Sequence, residues 1–331
     1  MRRTALVAIG GNSLARAGEP TTVAAQRAHV VEVCGVLAQL VAAGWRLVVT
    51  HGNGPQVGAA LRRSELGAAD AYPLPLDMCV ASTQGEIGLL LQQGLREALD
   101  ARALECPVAT VLTQVIVSPD DQAFARPSKP VGAFYSEADV ESRRQAGWTL
   151  VEEPPHGYRR VVPSPEPLAI VEERAIRTLH DAGVLVIALG GGGVPVVQRG
   201  GRLEGTEAVI DKDLGSALLA IHLRAHVLAM VTDVDRIYVN FARSDARGLG
   251  TVTPDELRRL ASGGHFPPGT MGPKVEAALR FIAAGGSEVI VTSPDRLLAA
   301  IEGHDEGTRV MSGARVARRH RGRALASTVV G

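Results

Sequence analysis

The sequence predicts an α/β protein with a mainly parallel sheet, and three observations lead to this fold class. Short apolar runs of strand length alternate with segments whose apolar residues recur at helical spacing, a pattern typical of βαβ units. With 331 residues, 46% of them apolar, the chain can bury a substantial core. Three glycine-rich turns each follow a strand-like run, which is where a parallel sheet places its ligand-binding loops.

The first elements follow this alternation. Residues 4–9 form an apolar run after one threonine, which indicates a buried strand. Residues 23–43 carry apolar side chains at helical intervals and stop before Gly44, which favours a helix. A second strand is expected at 46–50, and Pro55 suits the first turn of the helix after it. A longer helix and a further strand follow, at 75–99 and 108–117.

Residues 119–167 interrupt the alternation. This segment is rich in proline and weakly periodic, and it contains two short strand-like pieces at 149–152 and 159–162. Apolar and aromatic residues recur in it, which a plain linker would lack. We therefore expect a small protruding lid subdomain, inserted in a main domain that spans residues 1–311.

The alternation then resumes. A glycine loop at 190–193 precedes a hairpin at 194–203, with helices predicted at 171–182, 211–223, 254–261, 272–284 and 294–301 and strands at 184–189, 227–232 and 288–292. Residues 312–331 contain five arginines and no apolar period, which predicts a basic, disordered tail.

Composition excludes several classes of function. Lys and Arg together number 35, and so do Asp and Glu, so the formal net charge is zero. A balanced charge gives no electrostatic reason to expect binding to nucleic acids or to membrane surfaces. The longest apolar runs are too short to span a membrane. Three widely spaced cysteines argue against a disulfide framework or a zinc site and fit a reducing compartment. A cytoplasmic protein is expected.

Lysine is unusually rare in this chain. Of the 35 basic residues three are lysines, Lys129, Lys212 and Lys274, which leaves 32 arginines. A lysine resists replacement by arginine where a compact, rotatable ammonium is needed and a planar guanidinium does not fit. The three lysines are therefore candidate site residues, although isolated surface lysines would give the same count.

The three glycine-rich turns point to an anion site. They are Gly10-Gly11-Asn12, Gly52-Asn53-Gly54 and Gly190 to Gly193. Glycine lets the backbone approach an anion closely, and amides at the start of the next helix are ready phosphate donors. One such turn could be only a tight connection, but three at one sheet edge favour phosphate binding. His51, beside the second turn, is interpreted as a structural or supporting residue.

Phosphoryl transfer suits these residues, since the motifs of P-loop, dinucleotide-binding, zinc protease, esterase and protein kinase sites are absent. The reaction needs alignment of donor and acceptor and neutralisation of oxygen charge, which lysines, backbone amides and Mg²⁺ can supply. Lys212 and Lys274 each open a predicted helix, with Asp213 beside Lys212, and can reach the same sheet edge. Asp211 is interpreted as a helix N-cap. Lys129 lies between prolines in the lid and could close on a phosphate.

Together these segments resemble the carbamate kinases of the amino-acid kinase family. The resemblance covers residues 4–311 in order, and motifs so long and so numerous are highly specific. They are Ala8 through Asn12, His51 through Gly58, Thr83-Gln84-Gly85, Ala123-Phe124, Pro127 through Tyr135, Arg160 through Pro165, Gly190 through Pro195, Glu207 through Asp213, Thr232 through Asp235 and Gly269 through Val275.

The resemblance implies an open, eight-stranded, mainly parallel sheet between helical layers, in a homodimer. It implies reversible phosphoryl transfer between ATP and carbamate, with Mg²⁺ held through the nucleotide phosphates rather than by protein side chains. Lys129, Lys212 and Lys274 would neutralise the transition state, and Asp213 would orient the lysines. Phosphoryl and carbamate groups would be bound by Gly10, Gly11, Asn12, Gly52, Asn53, Gly54, Gly191 and Gly192. The nucleotide would be bound by Thr232, Asp233, Val234, Tyr238, Met271 and Lys274.

Some features leave alternatives open. Ala8 stands where relatives in the wider family usually carry a lysine, which favours carbamate as the acceptor. Glu86 and Leu89 depart from the family pattern after Gly85 and bear on helix packing or a dimer contact. A kinase for another small acid or phosphate is an alternative, and so is a non-catalytic nucleotide or metabolite sensor. ATP synthesis in arginine breakdown is the expected direction, although the sequence does not exclude consumption of ATP in biosynthesis.

Overall fold

The computed structural model describes residues 3–11, 14, 19, 22–267 and 269–315. The strands of this part of the chain are β1 (Thr4–Ile9), β2 (Arg46–His51), β3 (Val108–Thr110), β4 (Gln114–Ile116), β5 (Lys129–Tyr135), β6 (Thr149–Glu153), β7 (Gly157–Val162), β8 (Ala169–Ile170), β9 (Leu185–Ile187), β10 (Val194–Arg199), β11 (Arg202–Gly205), β12 (Val227–Val231), β13 (Tyr238–Val239), β14 (Arg247–Gly248), β15 (Thr251–Val252), β16 (Glu288–Thr292) and β17 (Thr308–Val310). Its helices are α1 (Val23–Ala42), α2 (Gly54–Leu66), α3 (Leu76–Asp100), α4 (Gln122–Ala125), α5 (Glu137–Gln145), α6 (Glu173–Asp181), α7 (Lys212–His222), α8 (Pro254–Ser262), α9 (Met271–Ala283) and α10 (Leu297–Glu302).

The main sheet has eight strands in the order β15-β17-β16-β12-β1-β2-β9-β3. The strands from β16 to β3 all run parallel, whereas β17 is antiparallel to β16 and is followed at the edge by β15. The expected open, mainly parallel sheet is therefore confirmed. Because parallel neighbours need crossover connections, helices cover both faces of this sheet.

Each face of the sheet buries its own apolar core. In β1 the side chains of Leu6 and Ala8 enter the layer of α6, α7, α8 and α9, whereas those of Ala5, Val7 and Ile9 enter the layer of α1, α3 and α10. Every residue of β1 is buried, as expected for a central strand that is covered on both sides. This double burial explains why the segment is almost wholly apolar in sequence.

The prediction of one strand over residues 108–117 is wrong. The chain breaks after β3, which ends the main sheet, and β4 enters a second sheet of order β11-β10-β4-β8. Thr113 lies in the break and is fully buried. The Gln84 side chain donates to the Thr113 carbonyl (3.0 Å) and accepts from its backbone N–H (2.8 Å). The turn is thus fixed by a distant helix, which a local apolar pattern cannot reveal.

The segment predicted as a lid contains an antiparallel sheet of order β5-β7-β6 with α5 beside it. The strands predicted at 149–152 and 159–162 are present as β6 and β7, whereas the sequence does not predict β5. Pro130 weakens the strand pattern there, but β5 is an edge strand, the position where a sheet tolerates proline. A small separate core forms between the sheet and α5, from Tyr135, Val140, Leu150, Trp148 and Tyr158.

The three-stranded sheet of this segment, called the lid sheet after its predicted role, is joined to the rest of the chain through α2. Tyr135 Oη donates to Glu65 Oε1 (2.8 Å), and burial together with this hydrogen bond raises the pKa of Tyr135 to about 12. Gly58 of α2 lies against Gly132 of β5, where a Cβ on Gly58 would be 3.3 Å from the Gly132 Cα. The strand that carries Lys129 therefore packs on the helix that follows the second glycine turn.

The other predicted elements are present with small shifts, including the hairpin of β10 and β11. The helix predicted at 171–182 begins two residues later, and the sequence does not predict β8, β13, β14, β15 or β17, which are two or three residues long. Within the described ranges no helix has the length and apolarity needed to cross a membrane. Only 312–315 of the predicted tail is described, and 316–331 lie outside.

Candidate active site

A cavity of about 640 Å³ opens at the carboxyl ends of the parallel strands. Residues that follow β1, β2, β9 and β12 line it, together with residues from β5 and β7 of the lid. This is the edge at which open α/β sheets bind their ligands. The parallel strands therefore bring the three glycine turns and the lid to one place.

The glycine turns contact one another at this edge. A Cβ on Gly52 would lie 2.7 Å from the Gly11 backbone nitrogen, so a larger residue would push two turns apart. Gly191 has a φ of +65°, and a Cβ there would lie 2.3 Å from Asn53 Nδ2. The absence of side chains lets three stretches of backbone meet, which is the arrangement that brings amide groups close to an anion.

Asn53 and the third turn are held in place by α3. Asn53 is 4% exposed, and its Nδ2 donates to Thr83 Oγ1 (2.8 Å). The neighbouring Gln84 holds Thr113, whose Oγ1 accepts from the Leu189 N–H (3.0 Å) just before the third turn. The Thr83-Gln84 pair does not line the cavity, so it acts by positioning two of the turns.

The three lysines converge on two aspartates at the start of α7. Lys274 Nζ donates to Asp213 Oδ2 (2.7 Å), and Lys212 Nζ lies 3.1 Å from Asp213 Oδ1. Lys129 Nζ donates to Asp211 Oδ2 (2.8 Å) across from the lid. The side chains of Lys212 and Lys274 are 11% and 12% exposed and that of Lys129 is 26% exposed. Two ammonium groups are thus buried at the cavity wall, and the third reaches it from the lid.

Asp213 controls the charge of the two buried lysines. Its own burial would raise its pKa, but Lys212 and Lys274 hold the pKa of that carboxyl well below its usual range. Burial lowers the pKa of Lys212 despite the nearby carboxylate. At Lys274 the effect of burial is outweighed by Asp213, and the pKa is raised. Lys212 is therefore the cation whose charge depends most on its partner.

The cavity has a surplus of positive charge. Among the described residues of its lining, three are carboxylates and four are cationic side chains, which are Lys129, Lys212, Lys274 and Arg159. A concave site with this balance and with glycine backbone at its edge favours an anionic ligand.

An aromatic wall lies beside these charges, in the part of the lining that follows β12. Tyr238 and Phe241 make an edge-to-face contact with ring centroids 5.9 Å apart, and both line the cavity. Tyr238 Oη donates to Asp235 Oδ1 (2.7 Å), which raises the pKa of the phenol. A planar aromatic surface next to an anion site can receive the base of a nucleotide.

His51 is buried and neutral rather than a member of the lining. Burial lowers its pKa to about 4, and its Nδ1 lies 3.0 Å from the Gly52 carbonyl. A Cβ on Gly190 would lie 2.6 Å from the His51 Cε1, so the imidazole fills the space between the second and third turns. Its position supports the interpretation of His51 as a structural residue.

Almost all of the predicted site residues line the cavity. Asn12 lies outside the described residues, and Gly192 packs on the Ile210 carbonyl without joining the lining. The predicted residues in the lining are Gly10, Gly11, Gly52, Asn53, Gly54, Gly191, Lys129, Lys212, Lys274, Asp213, Thr232, Asp233, Val234, Tyr238 and Met271.

Three charged or aromatic residues of the described lining are missed by sequence reasoning. Asp211 does serve as an N-cap, since its Oδ1 accepts from the Asp213 N–H (2.9 Å), but its other oxygen binds the lid lysine. Its place next to a rare lysine is the signal that could have revealed this second contact. Phe241 and Arg159 have no such signal, because one lies in a loop and the other is one of 32 arginines.

Comparisons with known proteins agree with this geometry. The family model described as "Amino acid kinase family" matches residues 3–293, and the chain belongs to that family. The carbamate kinase of Thermococcus kodakarensis is 44% identical over 311 residues, which cover 92% of this chain and 98% of the relative. Carbamate kinase-like protein YahI of Escherichia coli is 43% identical, with 94% and 99% covered. Within the family, these relatives place the chain among the carbamate kinases.

Solved structures give the same assignment. Carbamate kinase from Giardia lamblia bound to AMP-PNP has a TM-score of 0.89 and 39% sequence identity, and the match covers 94% of this chain and 98% of that one. N-acetylglutamate synthase from Neisseria gonorrhoeae, at 18% identity and a TM-score of 0.54, shares the fold alone.

Proposed function

We propose that the protein catalyses reversible transfer of a phosphoryl group between ATP and carbamate, with ADP and carbamoyl phosphate as the other pair. The observation that carries this proposal is the convergence of three lysines and the glycine turns on one cavity. The relatives named carbamate kinase support the choice of acceptor, since they match over nearly the whole chain.

Lys212 and Lys274 would act on the phosphoryl group itself. Phosphoryl transfer demands little covalent work from a protein, but it needs donor and acceptor in line and charge held against the equatorial oxygens. Two buried ammonium groups on one carboxylate form such a fixed array, which costs little reorganisation during the reaction. Backbone amides of the turns at Gly11 and Gly52 would bind the remaining oxygens and the acceptor.

The lid would supply the third ammonium. Lys129 is bound to Asp211 at 2.8 Å, and a substrate phosphate can compete for the same ammonium through charge-assisted hydrogen bonds. We propose that residues 119–167 act as a lid on the main domain 1–311 and that Lys129 leaves Asp211 for the substrate during turnover.

The carboxylates of the cavity fit Mg²⁺ that arrives with the nucleotide. This ion is usually bound by one or two carboxylates, several waters and substrate phosphates. Asp213 is buried between two lysines, so Asp211 and Asp233, which both line the cavity, are the residues that would hold the ion, directly or through water. When bound, Mg²⁺ offsets phosphate charge and orients the phosphates.

We further propose that the protein is a cytoplasmic homodimer and that its reaction forms ATP during arginine breakdown. Met78 and Leu89 are 49% and 55% exposed, and their spacing, about three helical turns, places them on one side of α3. Contiguous apolar surface marks interaction sites, and this side of α3 is the face that we assign to the dimer contact. Glu86 lies between them in sequence and is 4.0 Å from Arg63 of α2. Light scattering after size-exclusion chromatography measures the oligomeric state.

The test of the reaction is direct. Purified protein mixed with ADP, Mg²⁺ and carbamoyl phosphate should form ATP, which luciferase detects. Faster ATP formation from acetyl phosphate would favour a kinase for another small acid. Nucleotide binding without ATP formation from either acyl phosphate would favour a sensor.

A further inference from the structure

Arg159 is a cation of the cavity to which the reaction described above gives no role. It lies on lid strand β7 and joins the lining together with Lys129, Pro130 and Val131 of the adjacent strand. Each of the three lysines in the lining has an aspartate partner at 2.7 to 3.1 Å. Among the residues that the structure describes, no carboxylate pairs with Arg159, and its Nε is buried without a hydrogen-bond partner.

The neighbouring Arg160 has a carboxylate partner among the described residues, so the lack of one is specific to position 159. Arg160 Nη2 pairs with Glu207 Oε2 at 2.7 Å and does not line the cavity. Successive side chains of a strand point to opposite faces, so β7 directs Arg160 to a carboxylate and Arg159 to the cavity. The Arg159 guanidinium lies over the Phe134 ring, 5.2 Å from its centroid. This cation–π contact orients the group without neutralising its charge.

An unpaired buried donor costs free energy in a folded protein, so a partner that reached the Arg159 guanidinium would gain a favourable contact. The partner has to come from the cavity side, since the opposite side of the strand is that of Arg160. A guanidinium presents two parallel N–H groups to a carboxylate or a phosphate. The chemistry of the position therefore selects an oxyanion.

The lid strands show from which part of the chain Arg159 reaches the cavity. Arg159 is adjacent to β5, which packs on α2 through Gly132 and Gly58, and α2 follows the second glycine turn. The aromatic wall of Tyr238 and Phe241 comes from the segment after β12 instead. Arg159 thus reaches the cavity from the same sheet as Lys129, whereas the aromatic wall comes from another part of the chain.

We propose that Arg159 binds the small acid substrate, with its guanidinium on the carboxylate of carbamate, which becomes the carbonyl end of carbamoyl phosphate, and so contributes to the choice of acceptor. This proposal rests on the proposed function, because the acyl phosphate is the substrate of that reaction. A planar fork matches the planar carboxylate of carbamate, whereas the ammonium of Lys129 offers a point charge to the transferred phosphoryl group.

The test compares Arg159→Gln with Arg144→Gln, a change at an exposed arginine on α5 of the same lid, outside the cavity lining. ATP formation is measured while carbamoyl phosphate and ADP are varied separately. Arg159→Gln should lower kcat/KM for carbamoyl phosphate by about 10- to 100-fold, the loss expected for a charge-assisted hydrogen-bond pair, and leave the KM for ADP nearly unchanged. Arg159→Lys should recover part of the loss, and Arg144→Gln should behave as wild type.

Two results would overturn the proposal. One is an equal rise in both KM values, which would assign Arg159 to the nucleotide or to the fold of the lid. The other is wild-type kinetics in Arg159→Gln. If the wild-type protein forms no ATP, the proposed function is refuted, and the role of Arg159 is then tested separately by measuring ligand binding. Carbamoyl phosphate should then raise the Tm of wild type and Arg144→Gln more than that of Arg159→Gln, whereas inorganic phosphate, bound by the lysines, should raise the Tm of all three alike, and any other pattern rejects the assignment.

Discussion

Asp213→Asn is the substitution that tests the lysine array most directly. Asp213 is 4% exposed and binds two ammonium groups, at 2.7 and 3.1 Å. Asparagine keeps the shape and loses the charge, so Lys212 and Lys274 would face each other in a buried place without a counterion. Breaking a buried ion pair in this way typically destabilises a protein by about 3–5 kcal/mol. We expect kcat to fall by about 10²- to 10³-fold, the range for loss of one preorganised electrostatic group.

The pH dependence has a defined sign in this variant. Burial already lowers the pKa of Lys212, and Asp213 opposes that effect. Without the carboxylate the pKa of Lys212 falls further, so activity should be lost at lower pH than in wild type as the pH rises. If kcat of the variant were near normal and fell at the same alkaline pH as kcat of wild type, the assignment of Asp213 as the shared counterion would be refuted.

Stability gives an independent readout, measured by urea unfolding. The pKa of Asp213 is depressed in the folded protein, so its contribution is present above the ordinary value of 3.8 and is lost as the pH falls below it. The stability gap between wild type and Asp213→Asn should be constant near neutral pH and narrow in acid. Asp181→Asn is the control, since that carboxylate is 68% exposed and 3.8 Å from Arg46, and an exposed pair contributes about 0–1 kcal/mol.

Three further changes test other parts of the site. Lys212→Arg and Lys274→Arg should each lower kcat by at least about 10- to 100-fold in steady-state assays, because a rigid guanidinium cannot reproduce the ammonium contact. Near-normal rates in both variants would contradict the role assigned to these lysines. Lys129→Ala should impair transfer while calorimetry finds ADP affinity largely intact, as expected for a lid residue; a large loss of affinity would place it at the nucleotide. Gly52→Ala should lower both kcat and Tm, because its Cβ would lie 2.7 Å from backbone of the first glycine turn. Gly85→Ala is its control, with open space around the added methyl, and an equal effect there would argue against contact between the turns.

Most residues that the sequence predicts for the site line one cavity, whereas several borders of the helices and strands are predicted wrongly. Rarity identifies Lys129, Lys212 and Lys274 because arginine has taken most other basic positions in the chain. The same composition hides Arg159, whose role depends on which face of a lid strand it occupies. Composition can reveal a residue that resists replacement, but not one whose type is common and whose surroundings are special.

The errors in the predicted helices and strands have a different cause. The break between β3 and β4 depends on Gln84, which lies in a helix 29 residues before Thr113 and satisfies both backbone groups of the turn. β5 forms in spite of Pro130 because it is an edge strand paired with β7. The short strand β17 lies between β15 and β16 in the sheet order. Each of these outcomes is decided by contacts distant in sequence, whereas the periodicity of a segment reports only its own burial.

The start of α7 explains how three lysines far apart in the chain reach one cavity. Asp211 caps the helix with one oxygen and binds the lid lysine with the other, while Asp213, two residues on, is buried and binds Lys212 and Lys274. Asp211 is the extended N-cap and Asp213 lies in the first turn of α7, so the tripeptide from Asp211 to Asp213 sets the offset between the carboxylate that binds Lys129 and the one that binds Lys274 of α9. Insertion of a single residue between Asp211 and Asp213 would change this offset and separate the ammonium groups. The convergence of the three ammonium groups thus depends on the spacing of the two aspartates at the start of α7.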